Sequence, residues 1–484
     1  MRLKIVKVIM EIFFALTGIG ALIIAVFAYQ LHIDKDQAMG PNRTFVLILG
    51  LFLIILSLYL FISTFLNRLL KTPISKRFSQ VINRIITPFK WLSAPIEKTL
   101  DTGRSNQGAG WYALVGAVIA IIISLFYISS GRFTVWPPST TYFDRLANGF
   151  LAGQLSLLEK PPAALLALPD PYYYANRNGV GGYIWDSSLY GGNYYYYWGP
   201  VPALLALSVK IIHSEWIIED QYLIIFSIVG LAILMAALLY RLKTKYFPAI
   251  PGWLVMGLTI LGVLNTPVFW LVTRPGVHAA PIATGQLFLI LGIYTALRGI
   301  DAQRFKVQLL ILTGFFWGAA IGCRINLGLG IAWMTGLICL FFFLNTKRWQ
   351  LAVGPVLALI LPLLLWGGAL GWYNYARFGN ILETGHRYQL TGGAMPANYK
   401  DIVSASYILP NMYNILARPM NILPDEFPFF FTPYPNGHMW PRLIFFPNNP
   451  NYIFSEPIAG IFVTTPILWC LLLLVVRPIQ AAWN

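Results

Sequence analysis

The sequence predicts an all-α polytopic membrane protein of about ten transmembrane helices, with a large first outer loop containing interfacial helices. Three observations carry this. Only 11% of the 484 residues are charged and 57% are hydrophobic, whereas a soluble domain carries about 25% charged residues. Runs of about 20 apolar residues recur along the chain, each long enough to cross a ~30 Å hydrocarbon core. The basic residues also concentrate on alternate sides of those runs, as the positive-inside bias requires.

The apolar runs place spans at 8–30, 44–66, 111–130, 221–240, 250–271, 281–297, 307–323, 326–344, 351–372 and 458–477. The first is read as an uncleaved span, because it is long for the apolar core of a signal peptide. With the N-terminus inside, the inside segments together with Arg477, at the inner end of the last span, hold 20 of the 34 Lys and Arg residues, whereas those segments hold only 3 of the 18 Asp and Glu residues. The net charge of +16 then faces anionic lipid on the cytoplasmic side, and nucleic acid is not needed to explain it. This sidedness requires the short apolar stretch Val201–His213 to lie in the interface or re-enter rather than cross.

The chain divides into an N-terminal two-span segment (1–66), a basic cytoplasmic segment (67–110), a transmembrane domain (111–477) with outer loops at 131–220 and 373–457, and a cytoplasmic tail (478–484). In 67–110, Phe78, Val81, Ile82, Ile85, Ile86 and Phe89 share one helical face with Lys76, Arg77, Arg84 and Lys90 nearby. That pattern predicts an amphipathic helix on the membrane surface. Cys323, Cys339 and Cys470 lie within or at the ends of apolar runs, with no metal-ligand spacing.

The spans carry almost no ionisable groups, which a proton-coupled transporter would keep at mid-membrane. Chemistry is therefore expected at the outer surface. Loop 131–220 carries Asp144, Glu159, Asp170, Asp186, Glu215, Glu219 and Asp220, with aromatic residues at Tyr172–Tyr174, Trp185 and Tyr194–Trp198. Aromatic faces suit sugar C–H groups, although an interfacial aromatic belt has the same composition. Arg274 and His278, Arg324, and Glu383 with His386 and Arg387 bring cations to the same side. A departing phosphate needs such donors, because charge builds on its oxygens. Headgroup anchoring is the plainer role for each of them.

Four stretches together resemble the GT-C superfamily of integral-membrane glycosyltransferases, in the branch of protein O-mannosyltransferases and lipid A aminoarabinose transferases. They are Thr141-Tyr142-Phe143-Asp144-Arg145-Leu146-Ala147-Asn148-Gly149-Phe150-Leu151-Ala152-Gly153, Leu168-Pro169-Asp170-Pro171, Trp185-Asp186-Ser187-Ser188-Leu189-Tyr190 and Tyr197-Trp198-Gly199-Pro200-Val201-Pro202. Arg274-Pro275, Gly322-Cys323-Arg324, Arg377-Phe378-Gly379-Asn380 and Glu383-Thr384-Gly385-His386-Arg387-Tyr388 extend the likeness over roughly 111–477.

The resemblance implies sugar transfer from a polyprenyl-phosphate donor to a glycan, lipid or protein acceptor at the extracytoplasmic face of the cell membrane. A carboxylate base would drive an inverting displacement. It implies Asp144 as the base, with Asp186, Glu383 and Glu159 as alternatives. Arg324 and Arg274 would hold the carrier phosphate, with His278, His386 and Arg387 as further binding residues. Tyr142, Trp185 and Trp198 would line the cleft. No cofactor is required, although Asp144 and Asp186 could share a divalent cation. The chain departs from its relatives at Pro138-Ser139-Thr140-Thr141, where many carry an acidic residue, and at Asn148, where many are acidic. A flippase for lipid-linked saccharides and a non-catalytic assembly subunit are the rival expectations.

Overall fold

A computed structural model describes residues 2–31, 33, 39–69, 109–264, 267–300, 306–346, 349–392, 407–422, 430–431, 458–465 and 468–469. Helix dominates, as expected of a membrane protein, and six helices are long and apolar enough to cross a membrane. The chain forms two compact units: residues 1–158 with 198–376, and residues 159–197 with those from 377 onward.

The first unit begins with α1 (Arg2–Phe27) and α2 (Pro41–Leu69). They cross where Gly18 meets Gly50: a Cβ on either glycine would come within 2.9 Å of the other's carbonyl oxygen. Close backbone approach at small residues is a common way for helices to associate in lipid, where apolar burial supplies no preference between neighbours. Arg43 closes the hairpin. Its guanidinium donates to the Ala25 and Val26 carbonyls at 2.9 and 3.0 Å, satisfying acceptors that the end of α1 leaves open. The pair packs through Phe14, Leu53 and Leu56 against Trp111, Val115 and Val118 of α3 (Ala109–Ile128).

After α3 come two short helices, α4 (Tyr142–Leu151) and α5 (Val201–Lys210). At 1.5 Å per residue, the ten residues of α5 rise only about 15 Å, half a bilayer core. This agrees with the non-crossing expectation for Val201–His213. Long helices α6 (Asp220–Lys245), α9 (Ala279–Ile300), α11 (Leu327–Asn345) and α12 (Trp349–Phe378) follow, with α7 (Gly252–Leu264), α8 (Val268–Thr273) and α10 (Val307–Cys323) between them.

The expected span over 250–271 differs from the structure, which forms two helices there, α7 and α8. Pro267, at the start of α8, has no N–H to donate and disfavours helix in the residue before it. Helix α11 leaves Leu329, Trp333 and Leu344 more than 70% exposed, an apolar surface suited to lipid. Helices α9 and α10 share a buried hydroxyl pair, Thr295 and Thr313, 2.9 Å apart.

The second unit contains the one departure from an all-helical plan that bears on the site. Strands β1 (Ser188–Tyr190) and β2 (Asn193–Tyr195) form an antiparallel hairpin. Its turn is Gly191-Gly192, with φ of 56° and 72°, the left-handed conformation that two-residue hairpin loops favour. Segment 387–390 lies beside this hairpin: Leu390 N–H donates to Ser187 O at 2.8 Å and Asp186 N–H to Leu390 O at 3.0 Å. The expected surface helix in 67–110 falls almost wholly outside the described residues, as do the tail and half of the tenth span.

Candidate functional site

The sequence-predicted residues fall into two groups, one within each unit. In the first unit, α4 is held at both ends. Its first turn exposes backbone N–H groups that need acceptors. Thr141 makes no side-chain cap. Asp220, at the start of α6 and fully buried, takes that role across nearly 80 residues of sequence. Its Oδ1 accepts from Phe143 N–H at 3.2 Å and its Oδ2 from Tyr142 N–H at 3.3 Å and from the Thr140 hydroxyl. A carboxylate at a helix N-terminus is also favoured by the helix dipole. At the other end Gly153, with φ of 75°, donates to Phe150 O at 3.0 Å and closes the helix.

Asp144 lies on the buried face of α4. Its Oδ1 accepts from Lys210 Nζ at 2.8 Å and Ile218 N–H at 2.9 Å; its Oδ2 accepts from Asn148 Nδ2 at 3.1 Å. Both side chains of the Asp144–Lys210 pair are below 10% exposed. The ammonium also donates to Trp216 O at 2.9 Å. One buried ion pair thus ties α4, α5 and the 216–218 segment together. Asn148, one turn further along α4, serves as a donor to Asp144.

Glu219 is placed differently. One oxygen, Oε2, accepts from Ser139 N–H at 2.8 Å and from Gln221 Nε2 at 2.7 Å. Its other oxygen accepts no hydrogen bond among the described residues, and the side chain is half-buried. Ser139 in turn donates its hydroxyl to Pro275 O at 3.2 Å, and Gly276 lies against Thr140. The turn Arg274-Pro275-Gly276-Val277-His278 is thereby seated on 139–140.

Three of the predicted ring residues meet there. Trp198 packs edge-on against Tyr142, with centroids 5.8 Å apart, and against His278 at 5.3 Å. Arg274 is exposed, and its side chain makes no hydrogen bond or ion pair among the described residues. Arg324 follows Cys323, whose carbonyl lies against Gly199, the residue after Trp198. The structure therefore brings Tyr142, Asp144, Trp198, Arg274, His278 and Arg324 to one end of the bundle. The basic residues Arg241, Lys243, Lys245 and Arg298 lie at the opposite ends of α6 and α9.

The second unit holds Trp185, Asp186, Glu383, His386 and Arg387. Asp186 is buried at φ 62°, a conformation that non-glycine residues rarely adopt. Gln389 Nε2 donates to its Oδ1. Asp144 and Asp186, which could share a cation on the sequence alone, are each engaged within their own unit. Burial pushes the His386 imidazole below its ordinary value, against the opposing charges of Asp186 and Glu383. Glu383 Oε1 accepts from Gly385 N–H at 2.8 Å, and Arg387 lies 3.9 Å from its other oxygen. Trp185 is exposed and covers the buried Arg177 guanidinium at 5.5 Å, with Tyr183 at 5.2 Å. Tyr190, Tyr195, Phe378 and Tyr388 pack as one ring cluster. Burial, with Tyr388 and Asp170 nearby, pushes the Tyr172 phenol up to about 12.

Sequence reading missed the roles of Lys210, Glu219 and Asp220. Only an acidic pair preceding an apolar run marked the last two. Compared with protein-family models, characterised proteins and solved structures, the chain matches none.

Proposed function

We propose that this membrane protein is a glycosyltransferase of GT-C type, moving a sugar from a polyprenyl-phosphate donor to an acceptor at the extracytoplasmic face. One observation carries the reading: Tyr142, Trp198, His278 and the Arg274 turn meet beside carboxylates at the bundle end opposite the basic residues of α6 and α9. The positive-inside bias makes that end extracytoplasmic. In this reading about ten spans anchor the site, and the termini lie in the cytoplasm.

The chemistry follows from the groups present. An exposed cation at Arg274, with Arg324 nearby along the Gly199 contact, takes the charge that grows on the carrier phosphate as the anomeric C–O bond breaks. The Trp198 and Tyr142 rings offer faces to the sugar. A carboxylate at the same end removes the acceptor's proton.

The test uses the full chain in liposomes loaded with labelled undecaprenyl-phosphate pentoses and hexoses. The expected outcome is release of free undecaprenyl phosphate coupled to a labelled glycoside, reduced at least tenfold in Arg274→Ala. Movement of labelled donor across the bilayer with its sugar still attached would identify a flippase instead.

A further inference from the structure

We infer that Glu219 is the general base, supplying from the start of α6 the carboxylate missing from Pro138-Ser139-Thr140-Thr141. The assignment rests on the transferase reading. Four described carboxylates stand at this end of the bundle, Asp144, Glu215, Glu219 and Asp220, and burial and hydrogen bonds separate them: Glu215 is exposed and its side chain has no hydrogen bond among the described residues to fix its direction. Asp144 is buried and engaged at both oxygens, by an ammonium, a backbone N–H and an amide, with 5% of the residue exposed. Asp220 is likewise engaged at both oxygens, which cap α4, and has no exposure at all.

Among the described carboxylates there, Glu219 is the one anchored by one oxygen and open at the other. Ser139 N–H and Gln221 Nε2 hold Oε2 at 2.8 and 2.7 Å, while Oε1 has no hydrogen bond among the described residues. Gln221 is itself fixed, donating to Pro137 O at 3.1 Å. A base needs this combination: a fixed direction and an unoccupied lone pair within reach of the incoming hydroxyl. Glu219 also sits where it is needed, because its anchor Ser139 bonds the 274–278 turn that carries Arg274 and His278.

The acceptor oxygen forms a bond to the sugar C1, and its proton passes to Glu219 Oε1. The C1–O bond to phosphate breaks, and polyprenyl phosphate leaves with the electron pair. The protonated Glu219 then returns its proton to water.

Azide separates a base from a structural residue, because the azide anion attacks C1 without losing a proton. In full-length protein in liposomes, Glu219→Gln should lower transfer to a hydroxyl acceptor by about 10²–10⁴-fold. Formation of the glycosyl azide of inverted configuration should stay within a few-fold of wild type. Glu219→Asp, which withdraws the carboxylate by one methylene, should fall between, and it carries the same comparison if the glutamine variant does not fold. Hydroxyl transfer by Glu219→Gln within threefold of wild type would overturn the assignment, as would parallel loss of the azide reaction. Wild-type protein that transfers sugar neither to hydroxyl acceptors nor to azide would defeat the transferase reading itself.

Discussion

Asp144 and Lys210 form a buried pair whose removal should be costly one residue at a time and far less costly together. Asp144→Asn leaves the Lys210 ammonium, 3% exposed, facing a neutral amide. Lys210→Met leaves the carboxylate with only the Ile218 N–H and the Asn148 amide. Breaking one side of a buried pair costs about 3–5 kcal/mol, because the surviving charge stays desolvated. Replacing both sides with apolar residues is often close to neutral.

The brace joins α4 and α5 to residues 216–218, so the loss should appear as local opening there. A cost of about 3–5 kcal/mol raises the open population roughly a hundred- to a few-thousand-fold. The neighbouring segment is a natural reporter, with Ile211 and Ile212 at least 70% exposed. Protease cleavage between 211 and 217, under conditions where cleavage is slow against reclosing, tracks that population.

The expected result is fast cleavage in Asp144→Asn and in Lys210→Met, and cleavage near wild type in Asp144→Leu/Lys210→Met. Single variants cleaved within threefold of wild type would refute the energetic argument, as would a double variant showing the sum of both effects. The double variant also separates two roles for Asp144. Retained sugar transfer assigns it to structure alone. Loss of transfer in a protein that stays closed would return it to the chemistry.

Two further predictions concern the other contacts. His386 has its folded value lowered by burial, so the unfolded chain binds more protons than the folded one as pH falls from about 6.5. Stability from this group is fully present above that pH and lost as pH falls through the window down to the folded value. The melting temperature in detergent should therefore fall between pH 7.5 and 5.5, by less in His386→Gln; equal falls in both proteins would dismiss the burial. Gly199→Ala would drive a Cβ into the Gly322 carbonyl, a backbone atom that cannot swing aside. It should cost about 1–3 kcal/mol and lower transfer, whereas Gly181→Ala, with open space around it, should melt like wild type.

The membrane class, most helix positions and the shortness of the helix at Val201–Lys210 were legible because each depends on local composition and length alone. The Gly191-Gly192 turn between aromatic runs was legible in principle, since two-residue hairpins need those conformations at neighbouring positions. The break at Pro267 could have been read the same way. Motif order singled out Asp144, Trp198 and Arg274, and folding does bring them to one end of one unit. It also divides the list, since Trp185, Asp186 and Glu383 belong to the other unit.

What the sequence determined by itself was which segments are apolar enough to cross a membrane, because transfer free energy is a property of each segment. Which carboxylate is tied and which is open was decided only by tertiary structure. Lys210 reaches Asp144 across 66 residues, and Glu219 reaches Ser139 across 80. Hydrogen-bond saturation depends on what folding places within about 3 Å, and no local pattern at 138–144 or 219–220 encodes it.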